Sequence, residues 1–175
     1  MDRMLSLRDI ECIPHHLYPL MVFADNERGL FSLLVKQRTK GFYGHFMWLI
    51  GPNVLASQTL TFRLYELGEY ADVCEMKFVY NEGWTSQQRF ELLSAIHQDL
   101  KKPWYRRMYD VPGVVLRLFG LKWNIGKAYF CSERGSYLKM VDPEYDLVSP
   151  TPSDLNIWTK ARQDRYSVYG RYFPD

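Results

Sequence analysis

A chain of 175 residues is long enough for one domain with a full hydrophobic core, and its 16% aromatic content excludes a disordered chain. A formal net charge of +2 carries no polyanion-binding signature, so nucleic acid is not an expected partner. Three cysteines, Cys12, Cys74 and Cys131, an odd count with no regular spacing, do not suggest a disulfide framework and point to a reducing compartment.

Residues 1–18 read as an irregular or edge segment, and Pro19 to Ala24 as a short apolar strand. A helix is predicted over Glu27 to Arg38, with Leu30, Phe31, Leu34 and Val35 on one side. Thr39 to Gly44 is a connector. His45 to Ile50 and Val54 to Thr59, joined by Gly51-Pro52-Asn53, read as a hairpin. Thr61 to Leu67 and Val73 to Tyr80 add two strands. Thr85 and Gln88 form a capping-box pattern ahead of the clearest helix, Thr85 to Lys101, whose apolar face reads Phe90, Leu93, Ile96 and Leu100. A weaker helix is predicted over Asp110 to Leu121. Cys131 opens another, over Ser132 to Val141, which Pro143 closes. Pro150, Pro152, Ser153 and Asp154 cap a short helix near Leu155 to Arg162. Tyr166 to Phe173 alternates aromatic and polar residues like a final strand. The expectation is a single α+β domain over residues 1–175, with a mainly antiparallel sheet packed by helices. The N-terminus shows no signal-peptide pattern and no run approaches the length of a transmembrane segment, so a cytoplasmic location is expected; a virion or a host cytoplasm fits equally.

Tyr129-Phe130-Cys131-Ser132-Glu133 is the stretch that carries chemistry. A thiol in the first turn of a helix feels the positive end of the helix dipole, which favours the nucleophilic thiolate. A free thiol, with a pKa of roughly 8.5, still needs a base, and the base needs an orienting polar group. Of the four histidines, His45 follows Gly44 and begins an apolar strand, a rigid position for a base. His97 lies mid-helix and reads as a surface or half-buried residue. His15 and His16 lie near Cys12, but their spacing matches no zinc pattern, so no metal is expected. The orienting group is expected on the returning strand. Gln58 is preferred for its amide oxygen, Ser57 is the weaker alternative, and alternation puts the two on opposite faces.

The order of a histidine opening a strand, a hairpin, a helix and a late Cys131-Ser132-Glu133 resembles the circularly permuted papain-like hydrolases of the NlpC type, including the YiiX-like and lecithin retinol acyltransferase-like groups. Gly44-His45 through Gly51, Tyr109-Asp110, Tyr129 to Glu133 and Ser149 to Leu155 carry the resemblance, and small phage and bacterial members are the most similar in pattern. Two departures stand out: a Gly precedes the histidine in place of the usual Ser, and the returning strand has no carboxylate. The resemblance implies a permuted papain-like fold and a cysteine hydrolase of the peptidase, amidase or acyl-transfer type. It would use Cys131 and His45, with Gln58 or Ser57 as third member, through a covalent acyl-enzyme. It implies a peptide, peptidoglycan or lipid acyl substrate and no cofactor. The competing expectation is a non-catalytic structural, virion or host-interaction protein that keeps the fold.

Overall fold

The computed structural model describes residues 2–25, 42–108, 131–148 and 150–174. The predicted helix at 27–38, the weaker one at 110–121 and the approach at 129–130 lie outside the described residues.

Six strands form one sheet: β1 (Leu20–Asp25), β2 (His45–Gly51), β3 (Val54–Gln58), β4 (Phe62–Glu66), β5 (Glu75–Asn81) and β6 (Tyr166–Tyr172). Their spatial order is β4-β3-β2-β1-β5-β6, and every pairing is antiparallel. This is an α+β fold. β2 and β3 are the hairpin expected from Pro52-Asn53, with Met47 opposite Ser57 and Trp48 opposite Ala56. The most apolar strand, β1, is buried at every position and lies inside the sheet.

Strand alternation splits the core into two clusters, one per face. The first gathers Leu20, Val22, Met47, Leu49, Leu55, Met76 and Phe78. The N-terminal segment, through Leu5, Ile10 and Ile13, and the single turn α2 (Gly68–Ala71) pack against that face. The second gathers Met21, Phe23, Phe46, Trp48, Ala56 and Val79. It is covered by α3 (Ser86–Lys101), the 3₁₀ helix Cys131–Met140 and α4 (Pro152–Lys160), through Leu92, Ile96, Leu138, Leu155 and Trp158.

Several local expectations change. The N-terminal segment lies along the sheet edge, as one of the two expectations had it, with Met4 bridged to Arg171, but it also holds a helix. Ser6 and Asp9 form a capping box that starts α1 (Leu7–Glu11), and Leu5 N–H donates to Arg171 C=O, tying the segment to β6. The Thr85–Gln88 box does start α3, but the inward face is Arg89, Leu92 and Ile96, while Phe90 is 65% exposed. Arg89 turns inward because its guanidinium donates to the C=O groups of Leu17 (2.8 Å) and Asn81 (2.5 Å). α4 begins earlier than expected: Thr151 caps it, with Asp154 completing a third box. Among the described residues, no helix is long and apolar enough to cross a membrane.

Candidate active site

Neighbouring residues on β3 serve two separate polar clusters. Ser57 faces the first core cluster. Its hydroxyl lies 2.8 Å from His45 Nε2 and 2.8 Å from the Tyr70 hydroxyl. The His45 and Tyr70 rings are nearly parallel, with centroids 6.1 Å apart. Tyr65 meets Tyr70 edge-on at 5.4 Å and contacts the Thr59 hydroxyl, so Tyr70 is held from behind. The order His45–Ser57–Tyr70 is a hydroxyl–imidazole relay of neutral groups. Burial pushes the His45 imidazole down from its ordinary 6.5 to about 4, so the ring is neutral at physiological pH. Burial is also the largest influence on the Tyr70 phenol and raises it; the Ser57 hydrogen bond opposes this, and charge on Tyr65, Cys74 and Cys131 adds to the rise.

Gln58 points to the other face. Its amide nitrogen donates to Arg107 C=O at 2.8 Å, and its oxygen accepts from Arg134 Nε at 3.0 Å and Nη2 at 2.8 Å. Arg134 in turn pairs with Asp99, and Tyr137 donates to Asp99 at 2.6 Å. Burial raises the Asp99 carboxyl, but Lys102, Tyr137 and Arg134 outweigh it and hold it below its ordinary value. The Arg134 guanidinium also stacks over Phe62 at 4.1 Å. The preference for Gln58 as the imidazole's partner is therefore corrected: the amide is committed to two arginines, and Ser57 is the residue on the ring.

Cys131 is the first residue of a ten-residue 3₁₀ helix and is buried. So long a 3₁₀ run is uncommon, because its hydrogen-bond geometry is poorer than that of an α-helix. The helix is held to the sheet by the Trp48 indole, which donates to Arg134 C=O at 3.0 Å, and by Arg134 on Gln58. Those contacts place its first turn near the sheet end where β2 begins and β3 finishes. The helix body covers the second cluster, whereas His45 and Ser57 face the first. What links Cys131 to the relay is its electrostatic reach to Tyr70.

The other thiols differ. Cys74 is buried, and burial, reinforced by Asp25, pushes its thiol up to about 11, which makes it an inert hydrophobe. Cys12 is exposed. His97 is exposed on α3. Among the described residues, no group of three or more His, Cys, Asp or Glu is placed to hold a metal.

Tyr70 and the Arg134–Asp99–Tyr137 group were not anticipated from sequence. Tyr70 lies on a single helical turn in a segment that reads as a break between strands. Arg134 and Tyr137 stand three apart in the Cys131 helix, the spacing of same-face neighbours, which was the one available signal.

The relay has a definite chemical capacity. In one of its two proton arrangements, Nε2–H donates to Ser57 Oγ and the Ser57 hydroxyl donates to Tyr70. Nδ1 then carries the lone pair, and among the described residues it has no hydrogen-bond partner. A neutral imidazole oriented through one nitrogen and free at the other is the form a general base requires.

The chain matches no protein-family model and no curated protein sequence.

Proposed function

We propose that this protein is a cysteine hydrolase of the peptidase, amidase or acyl-transfer type, built on a permuted papain-like arrangement. Cys131 Sγ attacks the acyl carbon while His45 Nδ1 takes the thiol proton. The imidazolium returns that proton to the leaving group as the acyl–heteroatom bond breaks. Water, deprotonated by the same nitrogen, then attacks the thioester and releases the acid and the thiol. Ser57, backed by Tyr70, orients the ring in the role that the sequence divided between Ser57 and Gln58. The backbone N–H of Cys131 is one oxyanion donor. The substrate class is a peptide, a peptidoglycan peptide or a lipid acyl group, and a virion or host compartment suits each.

The observation that carries this reading is the His45–Ser57–Tyr70 relay: a half-buried, neutral imidazole fixed through Nε2, with Cys131 in electrostatic reach of Tyr70, the hydroxyl end of the relay. Intact-mass analysis after mixing with peptide, peptidoglycan-fragment and lipid-ester panels tests it. A substrate-derived adduct on Cys131, absent in Cys131→Ala, is expected. No adduct across the panels, or adducts on Cys12 alone, would contradict it.

One observation favours a second reading, a non-catalytic structural or host-interaction protein that keeps the fold. His45 and Ser57 lie on the sheet face opposite the body of the Cys131 helix. On that reading the relay is a satisfied buried polar cluster and Cys131 is a small core residue.

A further inference from the structure

Lys77 lies in the middle of β5, and it is 1% exposed. Lysine is among the residues least often fully buried, because an ammonium must replace its hydration with hydrogen bonds or a counter-ion. Here Nζ donates to Asn156 Oδ1 on α4 at 2.8 Å and sits 5.9 Å from the centre of the Phe23 ring. Among the described residues, no carboxylate is within ion-pairing distance of Nζ. An ammonium has three N–H donors, so two remain without an acceptor among the described residues.

Lys77 lines a cavity of about 340 Å³ between β5, β6 and the end of α4. Lys160, Arg171 and Asp2 also line it, with Val79 and Val168 as apolar wall. Arg171 is already paired, with Asp2 at 2.7 Å and Glu75 at 3.5 Å. Lys160 is exposed and, among the described residues, has no ion-pair partner. The cavity therefore holds two amines, Lys77 and Lys160, with no ion-pair partner among the described residues; the Asp2 carboxylate in its wall is paired with Arg171 and reaches Lys77 only at longer range. Burial is the main force pulling the Lys77 ammonium down, to about 8; Lys160 and Arg171 add to it and Asp2 opposes it, so it remains charged at neutral pH.

We infer that this cavity binds a small organic oxyanion, a phosphate monoester or a carboxylate, with its anionic group on Lys77 and Lys160 and its body against Val79 and Val168. The oxygens would accept the two spare Lys77 N–H groups, and the guanidinium of Arg171 would stay with its own carboxylates. A volume of this size holds a small ligand rather than a polymer. The cavity lies on the face of the second core cluster, away from His45 and Ser57, so the inference stands or falls separately from the proposed hydrolase.

Isothermal titration and thermal shift at fixed ionic strength, with phenyl phosphate, benzoate and inorganic phosphate as probes, test it. Saturable binding of phenyl phosphate or benzoate is expected, and the tighter of the two assigns the oxyanion class. Lys77→Met, which keeps an unbranched apolar stem but removes the ammonium, is expected to abolish it. Lys160→Ala, at an exposed position that the fold does not need, is expected to weaken it by about tenfold, roughly the loss of one charge-assisted contact. No saturable binding up to about 10 mM, weaker than any useful small-molecule site, overturns the inference. Unchanged affinity in Lys160→Ala, or in a folded Lys77→Met, overturns it equally.

Discussion

Ser57 and Gln58 are adjacent on one strand, yet they anchor opposite kinds of polar cluster. On one face Ser57 joins His45 and Tyr70 in a set of neutral groups. On the other, Gln58 joins Arg134, Asp99 and Tyr137, where the charges answer one another and the amide uses both its ends. The closed cluster is a fastener: it ties the Cys131 helix to β3 and α3. The open cluster keeps one imidazole nitrogen without a partner among the described residues, which a fastener has no need of. The difference between them separates what holds the site from what could act in it.

The comparison is most sharply tested on the charged side. Arg134→Met removes the cation shared by Gln58 and Asp99, and urea unfolding is expected to show a loss of about 3 kcal/mol, the scale for breaking a buried ion pair from one side. A loss below about 1 kcal/mol, typical of a surface pair, would mean the cluster fastens little. Gln58→Leu removes the acceptor of Arg134 Nε and Nη2, leaving Arg107 C=O only its Phe62 N–H bond, and is expected to cost about 2 kcal/mol, with Cys131 still reactive. Ser57→Ala is expected to cost only about 1 kcal/mol, yet to slow Cys131 alkylation markedly. If the two β3 variants affect reactivity equally, the division between the clusters fails.

The pH dependence tests the neutral cluster separately. His45 has a folded value of about 4, below its ordinary 6.5. As pH falls, the unfolded chain therefore takes the proton first. Stability that is complete above about 6.5 is lost progressively down to about 4. Asp99 lies below its ordinary 3.8, so its contribution is lost only at lower pH still. Subtracting the stability profile of His45→Asn from that of the native protein should isolate the first window. Parallel profiles between pH 6.5 and 4 would show that the ring is not held neutral.

The sheet was legible in sequence because its signals are local. Alternation marked β6, Pro52-Asn53 marked the hairpin, and Thr85 with Gln88 marked the start of α3. The inward face of α3 was not, since Arg89 is a charged residue turned inward by two carbonyls outside its helix, those of Asn81 and of Leu17, 72 residues away. At the candidate site, the opposite facing of Ser57 and Gln58 was readable from a period of two. Which of them meets His45 was not, because that depends on Arg134, 76 residues from Gln58, claiming the amide. Tyr70 was hidden for a similar reason: a four-residue turn carries too little pattern to show where its side chain goes.

The central claim is that His45 activates Cys131. The direct test is the rate of iodoacetamide alkylation at Cys131 against pH, read by peptide mass spectrometry so that Cys12 and Cys74 are scored separately, in the native protein and in His45→Ala. The account expects alkylation faster than a small-molecule thiol near neutral pH, and loss of that advantage in the variant. Alkylation of Cys131 no faster than the small-molecule thiol, or unchanged by His45→Ala, would contradict it.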